Sequence, residues 1–266
     1  MLLKDTLDAL AAVFFPAPCR ICGETLASAT LIPICQECLA EIQPIRGAKC
    51  ELCGRPFASA VAMEALEPLC FECRKGTYSF ERTRSYSVYN DIVGGAVVLL
   101  KYDAVTRMGA WFAARLESIV REDFPGREFD VVVPVPLHPA RLRERGYNQA
   151  ELIARPLARR LGLKLGGFLL VRTKPRPPRL LLTSSERWET VRGAYETRQG
   201  VKVDKLRILL VDDVFTTGAT LDACARALLA AGAASVCGVT VARVVPELSG
   251  FEPDSPSTAS NFEAPS

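Results

Sequence analysis

The sequence contains no uninterrupted run of about 18 apolar residues, and this absence excludes a helix that could span a membrane. The first residues also lack the marks of a secretory signal, because Asp5 and Asp8 interrupt their apolar part and no small-x-small cleavage site follows. Apolar residues recur there at helical spacing: Leu3, Leu7, Leu10 and Phe14. This spacing predicts a short amphipathic helix that packs on the rest of the protein. Binding to a membrane surface is the alternative. We therefore expect a cytoplasmic protein.

Two common phosphate-binding patterns are missing as well. Neither Gly-x-x-x-x-Gly-Lys-Ser/Thr nor, after a strand, Gly-x-Gly-x-x-Gly occurs, so the usual phosphate loops are excluded. Histidine occurs once, at His138, and a lone loop histidine favours a structural role over that of a general base. Few aromatic residues could stack on bases, and this argues against direct binding of single-stranded nucleic acid. The candidates are Tyr147, Trp188 and Tyr195.

Cysteine, in contrast, is abundant. Eight of the ten cysteines form four Cys-x-x-Cys pairs: Cys19/Cys22, Cys35/Cys38, Cys50/Cys53 and Cys70/Cys73. The spacer of 16 residues after Cys53 matches a Cys₄ zinc site, and the spacer of 12 after Cys22 is slightly short. Four thiolates fill the tetrahedral shell of zinc, so the pattern predicts two structural zinc ions.

The same pattern bears on how the cysteines pair and on two rival chemistries. Gly23 and Gly54 follow the leading pairs in an internal repeat, which favours consecutive over interleaved pairing but leaves the latter open. Disulfides need an oxidising compartment that no export signal supports, and iron–sulfur clusters usually have tighter spacing. Cys224 and Cys237 fall in helix and strand patterns and are expected to fill the core.

The chain divides into three regions by composition. Residues 1–76 are rich in cysteine and turn residues, residues 77–247 alternate strand and helix patterns, and residues 248–266 have the composition of a disordered tail. In the middle region the apolar runs "FDVVVPVPL" and "RILLVDDV" predict buried parallel strands. Helices are predicted at "DIVGGAVVLLKY", "GAWFAARLESIVRE", "TLDACARALLAAGA" and "NQAELIARPLARRLG", the last with an interruption at Pro156. This alternation predicts a doubly wound α/β fold.

Basic residues are concentrated in one part of the chain. From Arg141 to Arg207 there are 17 Lys or Arg against six Asp or Glu, although the net charge of the whole chain is only +3. Such a basic block indicates phosphate groups or nucleic acid as a partner, whereas a solvated basic face is the plainer and commoner explanation.

The most informative stretch is "ILLVDDVFTTGAT", residues 208–220, which runs from an apolar strand into two adjacent aspartates. Ligands of doubly wound sheets bind beyond the carboxyl ends of strands, where Asp212 and Asp213 are expected. Free amides at the following helix start suit a phosphate, and Gly218 allows its close approach. Carboxylates accept hydrogen bonds from sugar hydroxyls and help to hold Mg²⁺. The pattern therefore predicts a phosphorylated ribose as ligand, the plainer alternative being a turn with a helix cap.

This stretch resembles the phosphoribosyl pyrophosphate (PRPP) signature of type I phosphoribosyltransferases. Together with the Cys-x-x-Cys ribbons, the Lys101–Tyr102 pair and "DVVVPVPLHPARLRERGYNQAELIA" (130–154), it resembles the ComF family of competence-associated proteins over roughly residues 14–245. The resemblance implies an α/β fold of the type I phosphoribosyltransferase-like class, a mostly parallel sheet flanked by helices with an N-terminal zinc-ribbon module.

The resemblance also implies roles for particular residues. Asp212 and Asp213 would be the catalytic pair that contacts the ribose diol of PRPP, bound together with Mg²⁺. The 5′-phosphate would be wrapped by Thr216, Thr217, Gly218, Ala219 and Thr220. The pyrophosphate would lie at Arg143, Arg145, Gly146, Asn148 and Gln149. Lys101 and Arg187 would belong to substrate loops.

The segment 172–195 corresponds to the mobile hood that excludes water in phosphoribosyltransferases. It departs from the usual family pattern at Arg176 or Arg179, where a glutamine is common, and at Thr190, where an asparagine is common. We expect a PRPP-binding protein linked to DNA uptake or nucleotide salvage, with glycosyl transfer from PRPP as the favoured activity. The alternative is a non-catalytic adaptor that senses PRPP or a nucleotide, or handles single-stranded DNA, beside a partner such as a competence helicase.

Overall fold

The computed structural model describes residues 17–26, 30–57, 68–175 and 184–249. The predicted amino-terminal amphipathic helix, the hood positions Arg176 and Arg179 and most of the predicted tail lie outside these ranges. Within them, no helix combines the length and apolar character that crossing a membrane requires.

Seven strands are present in the described ranges: β1 (Arg82–Val88), β2 (Val131–Pro134), β3 (Lys164–Leu165), β4 (Leu170–Arg172), β5 (Tyr195–Thr197), β6 (Arg207–Phe215) and β7 (Ser235–Arg243). Five of them form one parallel sheet in the order β1–β7–β6–β2–β3. The strands β4 and β5 pair antiparallel in a separate small sheet. The predicted α/β fold class, a mostly parallel sheet flanked by helices with an N-terminal zinc-ribbon module, is confirmed.

The helices in the same ranges are α1 (Gln36–Ala40), α2 (Phe71–Arg74), α3 (Asp91–Lys101), α4 (Arg107–Asp123), α5 (Pro139–Arg145), α6 (Gln149–Leu161), α7 (Ser184–Val191), α8 (Ala219–Ala230) and α9 (Pro246–Ser249). Leu209 and Val211 of β6 face the core that α3, α4 and α6 share. Ile208 and Leu210, which alternate with them, face the core built on α8. Burial on both sheet faces explains why this strand has an unbroken apolar run.

The expected interruption of α6 at Pro156 does not occur, and the helix continues through it. Proline has no N–H to donate to the carbonyl of the fourth residue before it, here Leu152. A β-carbon on Gly109 of α4 would overlap that carbonyl group. The close packing of α4 on α6 at this carbonyl therefore requires glycine at position 109.

The two cysteine ribbons pack on different parts of the sheet domain. In the first ribbon, Ile21 approaches α3 so closely that a β-carbon on Gly95 would overlap it. In the second, the Thr83 amide of β1 donates to the Leu52 carbonyl at 2.7 Å. Arg84 of β1, only 3% exposed, donates to the Glu51 carbonyl at 3.0 Å. The ribbons thus share their apolar cores with the sheet domain.

Candidate functional site

The acidic pair lies where β6 extends beyond its neighbour. The pairing of β6 with β2 ends at Val211, whereas its pairing with β7 continues through Phe215. Asp212 and Asp213 lie on this extension and are 8% and 5% exposed. The carboxylates therefore occupy the carboxyl end of the sheet, as the sequence predicts, although both are inside the strand and largely buried.

Hydrogen bonds fix the orientation of these two carboxylates. Asp212 Oδ1 accepts from the Asp213 amide at 2.9 Å, and Asp213 Oδ1 accepts from the Val214 amide at 2.7 Å. Lys101 Nζ, at the end of α3, lies 2.6 Å from Asp213 Oδ2. The resemblance placed Lys101 in a substrate loop, and the structure joins it directly to the acidic pair.

The loop between β6 and α8 is shaped by aromatic packing. Gly218 has φ +79°, and a β-carbon there would overlap the rings of Phe215 and Tyr78. The Tyr78 hydroxyl donates to the Thr217 carbonyl at 2.9 Å, and burial raises the pKa of that hydroxyl. Thr217 Oγ1 accepts from the Ala219 amide at 3.4 Å. The chain thus turns tightly from the strand that carries the acidic pair into α8, a 12-residue helix. Amides in the first turn of a helix have no carbonyl partner within it.

The loop between α5 and α6 lies close to Lys101, because the Tyr147 hydroxyl donates to the Leu100 carbonyl at 2.8 Å. Asn148 caps α6 by accepting from the Ala150 amide, and its Nδ2 donates to a backbone carbonyl at 2.9 Å. Both ends of this side chain therefore serve the fold.

The remaining residues predicted to hold pyrophosphate differ in their availability. Arg145 donates to Gln149 Oε1 at 2.6 Å, and its guanidinium lies 4.8 Å from the centre of the Tyr102 ring. Arg143 and Gly146 are exposed, and Gly146 ends α5 with φ +80°. His138 caps α5 with its Nδ1 accepting from an amide at 3.3 Å, in line with the structural role expected for it.

The described part of the predicted hood contributes α7. Its Trp188 lies 5.9 Å from Tyr78, measured between ring centres, so α7 packs beside the β6–α8 loop. Arg187 precedes this tryptophan, and its carbonyl accepts from the Thr190 hydroxyl at 2.9 Å. This arrangement places Arg187 on the element that borders the loop.

The basic block predicted from the sequence is not a uniform positive face. Arg141 pairs with Glu144 at 3.0 Å, and Arg160 pairs with Glu117 at 2.9 Å. Arg155 forms an ion pair with Glu151. Local pairing of this kind lowers the charge available to a long anionic partner.

The eight paired cysteines form two clusters, Cys19–Cys22–Cys35–Cys38 and Cys50–Cys53–Cys70–Cys73, with the sulfurs of each within 4.8 Å of one another. Zinc bound tetrahedrally by thiolates at about 2.3 Å separates the sulfurs by about 3.8 Å. The observed separations of 4.0 Å (Cys19–Cys38), 3.7 Å (Cys22–Cys35) and 3.6 Å (Cys53–Cys70) fit that geometry. Consecutive pairing, which the repeat favoured, is confirmed.

Backbone amides also point at the sulfurs, as in the Cys35 and Cys70 amides that donate to Cys19 and Cys50 at 3.3 Å. The donor set is therefore that of two structural zinc sites. Cys224 and Cys237 are buried in the core, and burial raises the pKa of both thiols. These two cysteines fill the core as predicted.

Sequence reasoning missed two residues that hold the loop. Tyr78 lies 139 positions before the carbonyl that it binds. Arg243, 4% exposed, lies at the end of β7 with its guanidinium 4.7 Å from the centre of the Phe215 ring. The sequence pattern that could have indicated Arg243 is a charged residue at the end of a mostly apolar strand. Tyr78 carried no comparable pattern.

Residues 10–74 match the family model described as a double zinc ribbon domain. The sheet domain behind these ribbons carries the acidic pair and the loop that borders it.

The chain belongs to the ComF family. It is 30% identical over 217 residues to the competence protein ComFC of Bacillus subtilis (strain 168), covering 79% of this chain and 84% of that protein. It is also 30% identical to the DNA utilization protein YhgH of Salmonella typhimurium, over 83% of this chain and 94% of the relative. An adenine phosphoribosyltransferase structure from Thermoanaerobacter pseudethanolicus matches 55% of this chain and 73% of its own, with 17% identity and a TM-score of 0.33. The assignment does not rest on that weak likeness.

Proposed function

We propose that this protein binds PRPP together with Mg²⁺ and transfers its phosphoribosyl group, in a process connected with the uptake or use of DNA. The observation that carries the proposal is the buried pair Asp212 and Asp213 beside the loop Thr216–Thr220, with Lys101 against the pair. The names of the relatives, a competence protein and a DNA utilization protein, support the process.

The chemistry of the pair suits a diol. Each carboxylate has one oxygen held by a backbone amide, and Lys101 occupies the second oxygen of Asp213. Ionised carboxylates are acceptors only, so ribose hydroxyls can donate to them directly. The amides of the loop at the start of α8 then receive the 5′-phosphate, because they point outward at the positive end of the helix dipole.

The acidic pair also suits a magnesium ion that is shared with the ligand. Mg²⁺ keeps several waters and is bound through one or two carboxylates plus substrate phosphates. When bound, the ion neutralises charge on the pyrophosphate. Arg143, which is exposed, would bind the same group, since arginine binds phosphate oxygens bidentately. The Gly146 amide donates to the Leu142 carbonyl at 2.8 Å, so Gly146 contributes the turn of the chain rather than a donor.

Catalysis in this arrangement is positioning plus electrostatics. An acceptor displaces pyrophosphate from C1′ of the ribose, and the bond to the acceptor forms as the bond to the pyrophosphate oxygen breaks. The carboxylates hold the sugar, and cationic groups stabilise the charge that develops on the leaving pyrophosphate. No covalent nucleophile is required.

Titration calorimetry with three ligands tests the binding step: PRPP, ribose 5-phosphate and inorganic pyrophosphate, each with and without added Mg²⁺. In Asp212→Asn/Asp213→Asn we expect PRPP and ribose 5-phosphate to bind about 10- to 100-fold more weakly, the loss of one or two charge-assisted hydrogen bonds. Pyrophosphate lacks a diol and should be affected little. Unchanged binding of ribose 5-phosphate would refute the assignment.

Glu128→Gln/Asp130→Asn is the matched control. These acids bind Arg207 at the opposite end of β6, so PRPP affinity should not change. Transfer is then tested by pyrophosphate release with purine and pyrimidine bases and with single-stranded DNA. PRPP binding without release from any of these acceptors would exclude transfer to them and favour a PRPP-sensing adaptor.

A further inference from the structure

The second cysteine cluster lies directly behind the β6–α8 loop. Arg243 Nη1 donates to the Cys53 carbonyl and lies 3.7 Å from Cys53 Sγ. The same guanidinium packs over the ring of Phe215, the last residue of β6. In addition, the Val244 amide donates to the Phe215 carbonyl at 2.9 Å. One buried arginine thus contacts both a zinc ligand and the residue that starts the loop.

A second connection runs through the segment that leaves the second ribbon. Tyr78 stacks on Phe80 with ring centres 4.7 Å apart and holds the Thr217 carbonyl. The next amide, of Ser79, donates to Asp222 Oδ1 in the first turn of α8 at 2.6 Å. The segment therefore holds both the loop and the helix start that follows it.

The first cluster lacks such a connection among the described residues. Its apolar neighbours belong to the core around α3 and α4, whereas Phe215 and Tyr78 belong to the core that contains the second cluster. The first cluster is also more open, since Cys22 is exposed, while all four cysteines of the second are buried.

We propose that Arg243 and Tyr78 are positioning residues through which zinc at the second cluster, and not at the first, sets the conformation of the loop Thr216–Thr220. Zinc binding at Cys50, Cys53, Cys70 and Cys73 fixes the Cys53 carbonyl and the ribbon end at Tyr78. These in turn fix Phe215 and the Thr217 carbonyl. The coupling does not depend on which ligand occupies the loop.

Trp188 reports the state of this aromatic cluster. The chain has two tryptophans, so Trp111→Phe leaves Trp188 as the single fluorophore, 5.9 Å from Tyr78. In that background we expect Cys73→Ser to bind about one zinc and to shift the Trp188 emission to the red, since an incomplete shell frees the ribbon. Cys22→Ser should also bind about one zinc but leave the emission unchanged. Equal shifts, or none in Cys73→Ser, would overturn the proposal.

A second pair of variants tests the connection if Cys73→Ser fails to fold. Arg243→Met removes the guanidinium between Cys53 and Phe215, and we expect the red shift of Trp188 with faster release of one zinc to a chelator. Arg84→Met is the matched control, because Arg84 is equally buried and contacts the same ribbon at Cys50 and Glu51. Its emission should remain that of the parent. An Arg243 variant with the emission and both zinc-release rates of the parent would refute the role of Arg243.

The variant Tyr78→Phe distinguishes this inference from the proposed function. It is tested by PRPP affinity, and that measurement rests on the proposed function. The change keeps the ring and deletes only the hydroxyl that binds the Thr217 carbonyl, so two zinc ions should remain bound. We expect PRPP affinity to fall about 5- to 10-fold, the value of one hydrogen bond. If the parent protein binds PRPP and Tyr78→Phe binds it equally, the role of Tyr78 is wrong. If the parent does not bind PRPP, the proposed function fails, and the fluorescence experiments still decide the coupling.

Discussion

Replacing Lys101 with methionine tests the charge balance of the acidic pair. The change keeps the length of the side chain and removes the ammonium group 2.6 Å from Asp213. The side chains of Lys101 and Asp213 are only 16% and 8% exposed, so water compensates little for the lost partner. Removing one partner of a fully buried pair costs about 3–5 kcal/mol. Because Asp213 keeps the hydrogen bond from Val214, we expect about 2–3 kcal/mol for Lys101→Met.

Urea denaturation of the zinc-loaded protein at pH 7 measures this cost as a lower midpoint with an unchanged slope. The double variant Lys101→Met/Asp213→Asn replaces the isolated charge with a neutral amide of the same shape. Its stability should recover by at least half of the loss, because the penalty arises from an uncompensated charge.

Lys49→Met is the matched control. Lys49 lies 2.7 Å from Asp123, with both side chains about one-fifth exposed. Asp123 retains Arg84, at 3.9 Å, as a second cation, so the expected cost is about 1 kcal/mol or less. The reasoning about the site is refuted if Lys101→Met costs no more than Lys49→Met, or if the double variant recovers nothing.

Three further changes test other parts of the structure. Gly109→Ala should destabilise the fold by about 1–3 kcal/mol in urea, despite the higher helix propensity of alanine, because the β-carbon overlaps the Leu152 carbonyl. Gly167→Ala is the control and should be nearly neutral, because its β-carbon meets nothing closer than 3.8 Å. Equal effects of the two changes would contradict the close packing at Gly109. Hydrogen bonds from Arg207 lower the pKa of Asp130 to about 2, below about 3.9 in the unfolded chain, so this carboxylate stabilises the fold above pH 4 and the contribution is lost as pH falls towards 2. Urea midpoints between pH 2 and pH 5 should therefore vary less in Asp130→Asn, and parallel profiles would contradict this linkage. A chromogenic chelator should release two zinc ions in two phases, the faster from the cluster with exposed Cys22, and a single phase would contradict the difference in burial.

The zinc sites and the main strands could be predicted because their signals are local. Tetrahedral zinc requires four thiolates, and Cys-x-x-Cys supplies two of them from a single turn, so spacing alone limits the partners. The strands β6 and β7 are buried on both faces, which forces apolar runs that no exposed helix would carry. The loop after β6 was predictable because its signal is also local: the threonines and Gly218 closely follow the acidic pair in the sequence.

Contacts between distant parts of the chain were not predictable in this way. The ion pair of Lys101 with Asp213 depends on α3 ending beside β6, and no periodicity encodes that meeting point. The helix α6 continues through Pro156, and Gly109 of another helix packs against the Leu152 carbonyl, to which proline cannot donate. In both places tertiary packing outweighs local propensity. Propensity says nothing about the contact of Lys101 with Asp213, and at Pro156 it predicts a break in the helix that does not occur.

The second ribbon also covers the edge strand β1 of the parallel sheet. β1 lies at one end of the strand order and pairs only with β7 within the sheet, so its outer backbone groups would be open to another chain. The Thr83 amide on this side donates to the Leu52 carbonyl, and the Tyr86 carbonyl accepts from the Ile45 amide, each at 2.7 Å. Residues 45 and 52 flank the first cysteine of the second cluster, so the ribbon covers the edge with its backbone. The same docking brings Cys53 to Arg243. Covering the sheet edge and positioning the loop thus depend on one set of contacts, and weakening that set should affect both.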